Sequence, residues 1–422
     1  MAAVTDHSAI QQRTVRALIA GQIAGSAALG ASVTVGAFVV QELLNQQTPW
    51  AGISTATVTV GTAVASRRLS ALMVRRGRRP GLTLGYLLAV VGAAVICVGI
   101  ETEQLWCFLI GLLLFGAGQA GNLLARYAAT DLALPDQRGR AMSTVVFAST
   151  FGAVFGPTVV GPAETAGEQW FGLHRYSGPF ILGGLLFLIA AANAFLRLRP
   201  DPLLVAGRLG GARESTPSIA SAVRNVVASA NGRLALTAMV VSQTTMVAVM
   251  AMTPVHMKLH GHEDISQFVV SLHIAGMYAF APLIGRLADQ RGRQTTIEIG
   301  AWILTASTVI AAASGEAYIV LFPALWLLGL GWNFGLIGGS ALLSESVAPE
   351  HRVAVQGTAD LLMSLCGGIA GFSSGFIRKA VGYHALAVSA TLAAGVLLVV
   401  SSRFRRSTEP SSPSEPSPAR SG

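Results

Sequence analysis

The chain has 422 residues, 52% of them hydrophobic and only 12% charged, with a mean hydropathy of +0.58. Soluble domains average about 25% charged residues, so an ordinary soluble enzyme is excluded, as is a disordered chain outside the C-terminus. The net charge is +9, and every basic residue except Lys258 and Lys379 is an arginine.

A helix crosses a bilayer with about 20 apolar residues. Such runs fall at 17–41, 50–69, 81–100, 105–128, 141–161, 178–196, 233–257, 266–285, 296–314, 317–343, 353–377 and 382–402. They predict an all-α membrane protein of twelve transmembrane helices in two six-helix halves. The halves span 17–196 and 233–402, joined by a central loop at 197–232 and flanked by segments 1–16 and 403–422. The first run is too long for a cleavable signal peptide. The Pro/Ser-rich tail is expected to be disordered. Cys97, Cys107 and Cys366 lie in apolar runs without a CxxC pattern and read as buried helix residues.

With the N-terminus inside, all 29 basic residues fall on the inner side except Arg175, Lys258, Arg378 and Lys379. Inner loops of membrane proteins carry the Lys and Arg excess. This predicts a multi-pass membrane protein with both termini cytoplasmic, and the Ala/Arg-rich composition hints at a bacterial source. The one-sided charge also explains the basic balance by a lipid bilayer rather than by nucleic acid.

The halves echo each other. Arg76-Gly77-Arg78-Arg79 follows the second span, and Arg291-Gly292-Arg293-Gln294 follows the eighth, 215 residues on. Pro135-Asp136-Gln137-Arg138 follows the fourth, and Pro349-Glu350-His351-Arg352 follows the tenth, 214 on. Parallel halves are a transporter architecture, with the substrate site near midplane between them. The run Gly285-Arg286-Leu287-Ala288-Asp289-Gln290-Arg291-Gly292-Arg293-Gln294 resembles the loop signature of the major facilitator superfamily. The resemblance covers the whole chain. It implies that Asp289 pairs with arginines and with a helix N-terminus of the other half, closing the cytoplasmic side; a plain topology-setting basic loop is the alternative. The first copy departs from the signature, with Val74 where Asp would stand and Ser70 where Gly would. Gly152, Gly156, Pro157 and Gly161 in the fifth span look like the Gly/Pro signature of antiporters in the same superfamily, with Ser143 and Val160 replacing two of its glycines. Small residues four apart allow close helix packing.

Met239, Met246, Met250, Met252, Met257 and Met277 put six of ten methionines into 239–277, with four of eight histidines, His256, His260, His262 and His273. Met246 and Met250 share one helix face, as do His273 and Met277. At 1.5 Å per residue, Met250 and His273 lie about 10 Å below the outer surface, and Met246 and Met277 about 16 Å. Thioethers select Cu(I), and an intramembrane His is a functional hypothesis. Met246, Met250, His273 and Met277 thus form a candidate metal site, with His256, Met257, His260 and His262 as an outer relay. Helix packing and a polar rim are the alternatives. The two pairs resemble those of CcoA-type copper importers, a branch whose relatives include proposed riboflavin carriers. That resemblance implies copper uptake across the inner membrane in support of cytochrome oxidase maturation.

Arg126 and Asp131 near the inner end of span four, Glu345 after span ten, and Asp360 in span eleven are candidates for proton coupling or for a structural ion pair between spans four and eleven. No P-loop or catalytic constellation is present, which argues against ATP drive and enzymatic activity. The expectation is a monomeric secondary transporter working by alternating access and importing Cu(I) as substrate, with no permanent cofactor. The rival is a proton-coupled carrier of a small organic solute, for uptake or efflux. A third class, a membrane sensor or assembly factor, would bind metal without flux.

Overall fold

The computed structural model describes residues 2–44, 53–207, 218–315 and 317–408, and is helical almost throughout. The first half holds α1 (Ala2–Leu43), α2 (Ile53–Arg76), α3 (Arg78–Glu101), α4 (Leu105–Ala128), α5 (Arg138–Thr158), α6 (Val160–Phe171) and α7 (Ser177–Arg197). The link carries two short helices, α8 (Pro202–Val205) and α9 (Ile219–Ala228). The second half holds α10 (Ala230–Leu259), α11 (Glu263–Tyr278), α12 (Ala281–Arg291), α13 (Arg293–Ala312), α14 (Tyr318–Glu345) and α15 (Arg352–Thr408). Two helices joined at Gly382 make up α15. With α11 and α12 as one span, α5 and α6 as one, and α15 as two, twelve spans result, six in each half.

Glycine sets the tightest turns. Gly77 between α2 and α3 has φ +96° and ψ 174°; Gly292, its counterpart between α12 and α13, has φ +91° and ψ 155°. A Cβ makes this conformation costly, so both repeats place glycine at the same reversal. Among the described residues, eight helices are long and apolar enough to cross a bilayer by length and composition, α15 counting once. The Ser-, Thr- and Arg-containing sequence of α2 falls short of that threshold.

Each half has its own core. In the first, Phe108, Phe115, Phe180 and Phe187 interlock edge to face, with ring centroids 5.1–6.2 Å apart. In the second, Leu304, Leu325, Leu328 and Leu343 are fully buried. Leu84, Leu87, Val91 and Val98 recur on one exposed stripe of α3, as a lipid-facing surface requires.

Several boundaries differ from the expectation. Segment 1–16 is helical from Ala2, and Gln11 Nε2 ties it to the Ala129 carbonyl at the end of α4. The eighth span breaks between α11 and α12, with Pro282 in the first turn of α12, where a missing N–H costs least. The fifth span breaks at Val159 and continues as α6, where Pro162 in the first turn has no N–H to give the Thr158 carbonyl. The last helix runs to Thr408; the rest of the tail, 409–422, lies outside the described residues. Cys97, Cys107 and Cys366 are unpaired and half-buried.

Candidate substrate cavity

A cavity of about 530 Å³ lies between the halves. Its walls come from α1, α2, α4 and α5 on one side and from α10, α11, α14 and α15 on the other. It extends from Arg126 toward Thr55, at the start of α2, and Ala153 and Val270. The opposite, basic face carries the turns at Gly77 and Gly292 and most of the described arginines.

The floor is an ion pair across the halves. Arg126 of α4 donates from Nη2 to Asp360 Oδ1 of α15 at 2.5 Å, and both side chains are buried. Arg126 also donates to the Ser340 hydroxyl, the Leu123 carbonyl and the Tyr127 hydroxyl, at 3.2, 2.6 and 3.2 Å. Its guanidinium lies 4.4 Å from the Tyr127 ring centroid. Asp360 Oδ2 has no hydrogen-bond partner.

Below the floor, the basic face is closed by two unequal copies of one lock. In the second copy, Asp289 accepts from the backbone N–H groups of Gly139 and Arg140, at 2.9 and 2.8 Å. These are the first turn of α5, so the carboxylate sits against the positive end of a helix. Arg293 bridges Asp289 at 2.9 Å and Glu345 at 3.1 Å, and donates to the Pro135 carbonyl of the other half at 2.7 Å. In the first copy, Arg78 makes a bidentate pair with Asp131 at 2.8 and 3.1 Å and reaches Gln356 of the other half at 2.9 Å. An amide thus receives the cross-half contact in the copy where Val74 replaces the carboxylate.

Serine and glycine swap places between the copies. A Cβ on Gly285 would stand 2.1 Å from the Ser143 hydroxyl, and one on Gly357 1.9 Å from that of Ser70. Each serine that departs from a glycine pattern therefore faces a glycine of the other half. Gly152 serves packing inside the first half, where a Cβ would meet the Ile23 carbonyl of α1 at 2.6 Å. Gly156 is buried. Gly161 is exposed, with nothing within 4 Å of a Cβ placed there, so it lies outside that contact. Pro157 lies in the last turn of α5, before the break at Val159.

Met246, Met250 and Met277 line the cavity, and Met363 of α15 joins them. His273 is buried and engages α14, its Nδ1 2.8 Å from the Leu325 carbonyl; its Nε2 has no partner. The cavity stripe of α11 is Val270, Ile274, Met277 and Tyr278, and position 273 falls on the flank toward α14. The quartet is thus three thioethers on the cavity wall and an imidazole beside it. His256 stacks on Tyr383 at 4.4 Å and touches His260 at 4.3 Å and His384 at 5.6 Å. His262 lies on Tyr318 at 3.9 Å, and Met257 is core. Among the described residues, no group of three or more His, Cys, Asp or Glu is arranged to hold a metal ion.

Uncharged polar and aromatic groups complete the lining. Gln22, Gln119, Asn122 and Ser149 stand on the first-half wall, and Gln243, Tyr278 and Trp332 on the second. Trp332 Nε1 donates to Gln243 Oε1 at 2.6 Å and its ring meets Tyr278 edge-on. In sequence these residues lack the charge, sulfur or imidazole that marks a candidate site; an amide inside an apolar run is their one signal.

Two halves of six helices, closed at one face around a cavity between them, have the architecture of a secondary transporter. The Major Facilitator Superfamily profile matches residues 18–264 and again 234–421, and the chain belongs to that superfamily. It is a membrane transporter rather than an enzyme. It is 39% identical to the "Uncharacterized MFS-type transporter YddS" of Bacillus subtilis (strain 168), over 95% of this chain and 93% of the relative. It is 27% identical to the "Riboflavin transporter RfnT" of Brucella anthropi, over 91% and 93%. In fold it is similar to the human organic anion transporter MFSD10, with TM-score 0.76 at 14% identity, covering 93% of this chain and 99% of that one.

Proposed function

We propose that this chain is a secondary active transporter of a small organic solute with a flat, polar ring system. The cavity carries this reading. At about 530 Å³ it falls within the about 300–1,000 Å³ of small-molecule sites, and it offers amides, two aromatic rings and an arginine where an ion would need a tight shell. The relative named as a riboflavin transporter supports a heteroaromatic solute. Asp360, with one oxygen on Arg126 and one without a partner, is the group on which a coupling proton would act. The arginine distribution supports a bacterial cytoplasmic membrane with both termini and the basic face inside. On that orientation the described state is outward-facing. The protein is taken as a monomer, because each half and the cavity are complete within one chain.

A second reading stays with copper, favoured by the thioethers of Met246, Met250, Met277 and Met363 on one cavity. Proteoliposomes separate the two. A panel of flavins, pyrimidines and small organic anions, offered with and without a pH gradient, should yield a saturable, gradient-dependent flux. Radioactive Cu(I) flux that is lost in Met246→Ala/Met250→Ala, with no organic flux, would overturn the proposal in favour of copper.

A further inference from the structure

We infer that Trp332 locks the Gln243 amide with its amino end free to the cavity. The second-half wall then reads a hydrogen-bond acceptor, the exocyclic carbonyl of a flat ring, and disfavours an amino group in the same place. The inference deepens the organic-solute reading and rests on it. An amide carries an acceptor at one end and a donor at the other, and a half-turn of the side chain exchanges them. Its partner decides which end is free. Here the partner is the Trp332 indole, whose Nε1 lies 2.6 Å from Gln243 Oε1. An indole N–H can only donate. The end it holds is therefore the carbonyl, and the free end is Nε2, a donor.

Nε2 is also open. Among the described residues it has no hydrogen-bond partner, and it is not one of the unpartnered atoms shut away from accessible surface. Gln243 lines the cavity. Gly367 of α15 marks where the amide stands: a Cβ there would lie 2.8 Å from Gln243 Cγ and 3.0 Å from Nε2. Met363 and Ser364, about one turn before Gly367, line the same cavity. The locking group is itself held. Trp332 is buried, and its ring meets Tyr278 edge-on with centroids 5.9 Å apart. Turning the amide over would set two donors face to face and strand the buried indole N–H, which is unfavourable. A ligand amino group at Nε2 would likewise set donor against donor, whereas a carbonyl completes the row indole N–H, amide, ligand oxygen. A site built to bond one polar group rejects the analogue that lacks it, because its own group is then left unpaired.

Binding to the full-length protein in nanodiscs tests this, read by isothermal calorimetry. The probes are oxo and amino forms of one ring each: uracil with cytosine, hypoxanthine with adenine, and lumazine with diaminopteridine. The expected result is that at least one oxo probe binds more than about fivefold tighter than its amino partner. In Gln243→Glu the indole holds one carboxylate oxygen and the other faces the cavity as an acceptor, so the preference within that pair should reverse. A reversed preference cannot come from a misfolded protein. In Trp332→Phe the amide is released to turn either way, and the preference should fall to about twofold or less. Equal binding of oxo and amino forms by the unaltered chain, or a preference that neither variant moves, would overturn the lock and leave the organic-solute proposal standing. No binding by any probe would overturn it too, and the flux panel then decides separately whether an organic solute of another class is carried.

Discussion

The Arg126–Asp360 pair is the most consequential contact at the scale of single residues. Two full charges out of water repay their desolvation only when the partners stay together. Removing one leaves the other stranded, so Asp360→Ala should cost about 3–5 kcal/mol and lower the unfolding temperature in detergent. The double change Arg126→Leu/Asp360→Leu should recover most of that loss without restoring gradient-driven flux. If the single variant unfolds like the unaltered chain, the pair is not what holds the floor. The charges of this pair were legible in the sequence, and so was a link between spans four and eleven, because charge inside an apolar run stands out. The amides of Gln22, Asn122 and Gln243 were not, since an uncharged side chain in a span is ordinary until its partners are counted. His273 shows the converse. Its spacing from Met277 and its depth put it in one set with the methionines, yet the rotation that turns it to the Leu325 carbonyl depends on where α14 packs, which no local pattern encodes.

At the scale of elements, closure of the basic face depends on helix ends. Asp289 accepts two backbone N–H bonds from the start of α5, and a charged acceptor there is worth about 0.3–2 kcal/mol through the helix dipole. Asp289→Asn keeps the shape and removes the charge, so the face should open in a larger fraction of molecules, by up to about tenfold for 1.4 kcal/mol. Spin labels at Asp136→Cys and Glu350→Cys, with the three native cysteines replaced, would report this as a longer inter-half distance. An unchanged distance distribution would mean that Arg78–Gln356 and the Ser–Gly crossings suffice alone. The repeat was legible because both copies need glycine at the turn and arginine beside it. The serine-for-glycine exchanges at Ser70 and Ser143 looked like erosion of a motif in sequence. In three dimensions each is matched by a glycine in the other half, which becomes visible only when the halves are assembled.

At the scale of the whole molecule, twelve spans were countable from hydropathy, but the cavity was not, because it is bounded by faces of eight helices distant in sequence. The two halves own separate cores and meet at the basic face through ion pairs, backbone-directed bonds and close Ser–Gly crossings. That division lets each half move as a body while the contacts between them exchange. Only one orientation makes the described state face outward. Lys and Arg in short loops set that orientation by resisting translocation, and the sequence with its N-terminus inside assigns all Lys and Arg but four to the inner side. A fusion of green fluorescent protein after Gly422 should therefore fluoresce, and alkaline phosphatase joined there should be inactive. Phosphatase joined after Glu103, between α3 and α4, should be active. The reverse pattern would invert the molecule, placing the Asp289 lock outside and the cavity mouth inside. The binding chemistry of the walls would stand unchanged, but the same closed basic face would then mark an inward-facing state.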